Sequence, residues 1–359
     1  MIPKSKTAPL IVASFASLAL AVATLLAQEK PPAPAAPPAT PTKVELPPPL
    51  KAKVLQLVFD PPIASEGGKR LHEVMEWSDP EQNSKEYAAD LEEASGGYAD
   101  FQIVESLHVD EFPLLHDGFR YDFATLRDVL QGKTKPHQPE GFGYHALIER
   151  FKIAERVEKG EIDEVWVQAM PFAGCYESTM AGDGAYDCNS GPLEGVKCKR
   201  LFVVMGFNYE RGVGEMLEDY GHRTEAILTH VFGSWDPPKK AHAWDRFTLY
   251  DQLAPGEAAC GNVHFAPNST RDYEWGNETP VASTCDDWLA YPDLKGTKRM
   301  VTCKDWGDGD MRLHHKWWLA HLPRAAGRSD GKLNHWWAYT ADFNRWPESG
   351  GRGAAPAAK

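Results

Sequence analysis

The sequence predicts an α/β fold: a mostly parallel sheet flanked by helices, followed by a loop-rich, Trp-rich C-terminal lobe. Three observations carry this. Short, near-continuous apolar runs recur up to about residue 207, separated by segments with helical spacing, as expected for strands buried on both faces. From Ser234 onward both periodicities weaken. Seven of the chain's twelve tryptophans, at 288, 306, 317, 318, 336, 337 and 346, fall from residue 288 onward.

Val54 to Phe59 reads as the first strand, stopped by Asp60-Pro61-Pro62. Lys85 to Ala94 reads as a helix behind Ser84 as N-cap, ended by Ser95-Gly96-Gly97. Asp100 to Leu107 is a second strand, followed by a short helix over Phe123 to Leu130. Tyr144 to Lys159 is a longer helix, stopped by Gly160. Asp163 to Met170 and Leu201 to Phe207 are the third and fourth strands. A helix then runs from about Gly212 to Phe232. These elements make an α/β core over 51–235 and leave 236–348 as a disulfide-stapled lobe, with a flexible tail over 349–359.

The N-terminal flank points to export. Residues 1–28 read as a secretion signal, with Lys4 and Lys6 ahead of an apolar run and Ala21-Val22-Ala23 as a small-x-small cleavage pattern. The run is nearly long enough to remain as a membrane anchor instead. Residues 29–50 are a proline-rich linker, an extended spacer rather than a core-former. The expected location is secreted, periplasmic or cell-surface. Six cysteines in an oxidising compartment suggest disulfides. Proximity favours Cys188–Cys198 and Cys285–Cys303, which leaves Cys175–Cys260. A net charge of −13 argues against a nucleic-acid partner, which needs a basic surface.

In an open parallel sheet, ligands bind beyond the carboxyl ends of the strands. That rule singles out Asp60, the segment Gly174-Cys175-Tyr176-Glu177 after strand three, and Asn208-Tyr209-Glu210-Arg211 after strand four. Gly212 and Gly214 open the following helix, where free N–H groups favour an anion. An exported hydrolase acting on a glycan or cell-wall-type polymer is the leading expectation. Glu177 and Glu210 form its acid/base or nucleophile pair, Arg211 stabilises charge, and His222 or His264 assists in a cleft between the lobes.

A metal-dependent alternative comes from the helix after strand four. Glu215, Glu218, His222 and Glu225 share one face, opposite Met216, Leu217, Tyr220, Ile227, Leu228 and Val231. Carboxylates and imidazole at three- and four-residue spacing can hold a divalent metal through Glu218, His222 and Glu225, with His264 as a further candidate. The same pattern also describes an ordinary surface helix. A third class is a cysteine hydrolase with Cys175 as nucleophile and His264 as base. A fourth is a noncatalytic protein presenting tryptophans to glycans, although a tryptophan more commonly fills a core.

Overall fold

The structure, a computed structural model, describes residues 45–351. The expected secretion signal, most of the linker and most of the tail lie outside the described residues. Five strands form the central sheet: β1 (Leu50–Val58), β2 (Ala99–His108), β3 (Glu164–Ala169), β4 (Ser178–Ala181) and β5 (Phe202–Asn208). Their order is β2-β1-β3-β5-β4. The first four of that order run parallel, and β4 closes one edge antiparallel to β5. Every residue of β3 is buried, as a central strand covered on both faces requires. Alternate side chains feed two cores. Trp166, Val203, Met205 and Phe207 enter one, whereas Val165, Val167, Phe202 and Val204 enter the other.

The helices depart from expectation at their ends. Helix α1 (Pro80–Ala94) starts at Asp79, whose carboxylate accepts from Glu81 and Gln82 N–H, with Pro80 at the first helical position. Asp-Pro is a better start than Ser84. Ser84 is instead buried inside the helix, and its hydroxyl donates to the Pro80 carbonyl. Helix α2 (Phe123–Leu130) is capped by Asp122. The longer helix expected over 144–159 is two, α3 (Tyr144–Arg150) and α4 (Ile153–Glu158), broken where Lys152 adopts a left-handed φ of 52°. Helix α5 (Val213–Phe232) ends at Gly233 with φ 84°.

Beyond α5 the chain holds more regular structure than its weak periodicity suggests. Helix α6 (Met311–Ala320) starts at Asp310, which accepts from Leu313 N–H, and packs against α5. Trp288, Trp306, Trp318, Trp336 and Trp337 are buried in the same core as Trp166 and the apolar face of α5. These five rings fill the interior rather than offering a surface. The C-terminal region and one sheet face thus share a core, within a compact unit that starts at Val44.

The expected disulfides are not formed: all six cysteines are free thiols. Cys188 lies in the core on one face of the sheet and Cys198 in the core on the other. The same separation divides Cys260 from Cys175. Cys285 and Cys303 flank a hairpin pairing Val281–Ser283 with Arg299–Val301, in which Ser283 faces Arg299 and Val281 faces Val301. Each cysteine therefore sits beyond a different end of the ladder. Nearness in sequence did not become nearness in space.

Candidate metal centre

Helix α5 is fixed in rotation by a buried ion pair. The Arg223 guanidinium donates to Glu164 Oε1 at 2.7 Å and to the Thr340 carbonyl at 3.0 Å, and Glu164 also accepts from Trp166 Nε1. Arg223 thus faces β3. The neighbouring positions Glu218, His222 and Glu225, which share one face at helical spacing, turn toward the loop over residues 260–275. That loop covers them: the Glu218 and Glu225 side chains are 8% exposed and His222 is 16% exposed. They form no ordinary solvent-facing stripe.

The loop delivers His264. Asn262 Oδ1 accepts from the N–H groups of His264 and Phe265, a local turn that shapes the backbone without touching the ring. His264 Nε2 meets His222 Nε2 at 3.0 Å. Glu218 Oε1 stands 3.4 Å from the former and 3.8 Å from the latter. Tyr273 places its hydroxyl 3.0 Å from His264 Nε2, on a backbone with φ 58° that a bulky side chain rarely adopts.

The outer ring nitrogens are held by carboxylates. His222 Nδ1 is 2.9 Å from Glu225 Oε2, and His264 Nδ1 is 3.0 Å from Asp272 Oδ1. An ionised carboxylate only accepts, so both Nδ1 atoms carry hydrogen, and a neutral ring then presents a bare lone pair at Nε2. Two lone pairs and the Glu218 oxygen consequently converge. The Tyr273 hydroxyl can donate to His264 Nε2, and a proton on one ring or a metal ion would satisfy the remaining acceptors. Burial alone would lower the His222 pKa, but hydrogen bonds to Glu218 and Glu225 outweigh it and carry the metal-free ring up to about 10. Burial would likewise raise Glu218, yet His222 and His264 hold it well below the usual carboxylate range.

An ion held between them would face all three acceptor atoms at once. The circle through the two Nε2 atoms and Glu218 Oε1 has a radius of about 2.0 Å, close to the distances that zinc keeps from imidazole nitrogen and carboxylate oxygen. Carboxylates behind both imidazoles are the usual outer support of such ligands. The residues fit a divalent cation without rearrangement.

Among the expected site residues, the structure brings Glu218, His222 and His264 together and places Glu225 behind His222. Glu177 accepts from the Asn189 side chain, and its charge reaches His222 and Tyr273. Glu210 is exposed and bonds to Asn208, while Arg211 is exposed and pairs with Glu215. Glu215 also accepts from Gly212 N–H, so this helix start is capped by its own carboxylate. Asp60 is buried and holds His72. Burial pushes the Cys175 thiol far up, and no imidazole pairs with it among the described residues. Asp272 and Tyr273 were not singled out from the sequence. Their nearness to His264 in the chain was the available signal.

A cleft of about 580 Å³ opens beside this cluster. His222 and Glu225 form one end, and Tyr186, Asn189, His230 and Trp235 line its length. Its lining contains Asp187 and Glu225 but no lysine or arginine. Burial, aided by Lys332, pushes His230 below its usual pKa and keeps it uncharged at neutral pH. No protein-family model matches the chain, and neither a curated protein nor a solved structure matches it.

Proposed function

We propose that the protein is a metal-dependent hydrolase that holds one divalent cation, zinc or a harder ion, on Glu218, His222 and His264. The observation that carries this is the convergence of two imidazole lone pairs and a carboxylate, each imidazole backed by its own acid. A cation bound there supplies a nucleophilic water near neutral pH and polarises a substrate carbonyl or acetal oxygen. Glu225 and Asp272 orient the two rings. Glu177, outside the cluster but within reach of its field, takes the part of general base. Burial and the charge of Glu218 push the Tyr273 phenol up to about 12, so it stays protonated and donates toward the reacting oxygen.

The cleft favours an uncharged substrate away from the cation, since Asp187 and Glu225 line it and no lysine or arginine does among the described residues. Aromatic rings beside an amide and a hydroxyl suit the mixed faces of a neutral glycan. Export to the cell surface would place the enzyme where such polymers occur. Glu210 and Arg211 have no part in this reading. The test combines elemental analysis of protein purified without chelator with release of soluble products from neutral polysaccharides. About one equivalent of metal and chelator-sensitive release are expected, with both lost in Glu218→Gln. Metal-free protein, or release indifferent to that substitution, would overturn the proposal.

A further inference from the structure

The three ligands come from two separate segments, so the site exists only while the loop keeps its distance from α5. One residue holds that distance. Val263, next to His264, donates its N–H to Glu225 Oε1 at 3.0 Å. Its carbonyl lies 3.2 Å from His315 Nε2, whose Nδ1 lies 3.1 Å from the Gly214 carbonyl in the first turn of α5. Both partners only accept and burial keeps the ring neutral, so it donates to one of them, and the clamp takes Nε2 as the nitrogen that carries the hydrogen. His315 stands on α6, so the loop is gripped from both helices. The fully buried Val263 side chain rests on Gly221, where an added Cβ would come within 2.6 Å of Val263 Cγ2.

Gly221 sits in mid-helix between Glu218, His222 and Glu225, and its backbone does not require glycine. Glycine is a poorer helix former there than alanine. The missing side chain, rather than backbone freedom, is therefore what the position uses. We propose that Gly221 and His315 are positioning residues: together they clamp Val263 so that loop-borne His264 meets the helix-borne Glu218 and His222 at ligand spacing. A β-carbon at 221 would push the loop out by roughly 0.8 Å to reach ordinary contact, more than the half-ångström tolerance of a preorganised site. This inference rests on the metal-site reading above.

Zinc titrated calorimetrically into chelator-stripped full-length protein tests it. Gly221→Ala should weaken zinc binding roughly 10–100-fold, the range for losing support behind a ligand, while the metal-free variant melts no lower than wild type. Adding Val263→Ala, which removes the clashing methyls, should recover most of that affinity. His315→Phe should also weaken binding, and His315→Gln, which keeps a donor for the Val263 carbonyl, should weaken it less. Wild-type protein that binds no zinc would overturn the metal reading itself. A zinc-binding wild type with Gly221→Ala equally tight, or with no recovery in the double variant, would overturn the clamp alone. If Gly221→Ala fails to fold, the two His315 variants decide, and equal affinities there would reject it.

Discussion

Helix α5 carries two charged clusters one residue apart, and they are built on opposite rules. Facing the sheet, Arg223 meets Glu164 with both side chains almost completely buried. One cation stands against one carboxylate, and a backbone carbonyl and an indole N–H add further bonds. Facing the loop, Glu218, Glu225 and Asp272 surround two imidazoles, with no lysine or arginine bonded to any of them among the described residues. The first cluster sets one cation against one carboxylate, whereas the second sets three carboxylates against two imidazoles, of which the metal-free protein holds His222 protonated. Breaking a buried pair strands a charge, whereas several carboxylates gathered around two imidazoles are the pattern from which the proposed metal reading starts.

The largest expected effect tests the first cluster. Arg223→Met strands the Glu164 carboxylate, and removing one partner of a buried pair costs about 3–5 kcal/mol. The denaturant midpoint should fall accordingly. Glu218→Gln in chelated protein should move that midpoint much less, and comparable losses would erase the distinction between the clusters.

Histidine alone sharpens the same contrast. His335 is buried against Tyr98, with no carboxylate partner among the described residues. Burial, with Arg324 adding to it, pushes its pKa down to about 4, whereas the acids around His222 drive that ring upward. The unfolded chain takes up the His335 proton first, near its ordinary value of 6.5. Stability should therefore fall as pH drops from 6.5 to 4 and level off below, by up to about 3 kcal/mol. His335→Phe should flatten that part of the stability–pH curve; an unchanged slope would show that another group controls it.

Much of the sheet was legible because a strand buried on both faces gives a near-continuous apolar run, and Val54 to Phe59, Asp163 to Met170 and Leu201 to Phe207 supply one each. The candidate site was legible only in part. Helical spacing placed Glu218, His222 and Glu225 on one face, but spacing does not say which imidazole nitrogen a carboxylate meets. Glu225 takes Nδ1 and so orients the ring that Glu218 faces at Nε2. His264 joins from 42 residues away, through a loop docking that no local pattern encodes. The burial of Glu164 with Arg223 was hidden for a similar reason: one starts a strand, the other stands in mid-helix 59 residues later, and no local pattern pairs them. Two of the cysteine pairings failed because the sheet lies between the partners, and Cys285–Cys303 because its members lie beyond opposite ends of one hairpin.

Metal linkage is the next effect in size. A cation that binds only the folded state adds about 2.7 kcal/mol at a hundredfold excess over its Kd. Zinc should raise the melting temperature of the wild-type protein and chelator should reverse it. In His264→Ala neither addition should move the transition. A zinc-dependent rise that persists in that variant would place the cation elsewhere.

The smallest effect separates the two supporting acids. Glu225 is buried and holds both His222 Nδ1 and the Val263 N–H, so Glu225→Gln disturbs a ring and the loop together and should weaken zinc binding toward the upper part of a roughly 10–100-fold range. Asp272 is 54% exposed and holds only His264 Nδ1. Water can take its place there, and an exposed charge contributes little beyond its hydrogen bond. Asp272→Asn should thus cost about tenfold or less, equivalent to about 1.4 kcal/mol. The order of these two losses reports which side of the cation is the rigid one. If Asp272→Asn proved the more damaging, the ion would be anchored by the loop and α5 would be the adjustable partner.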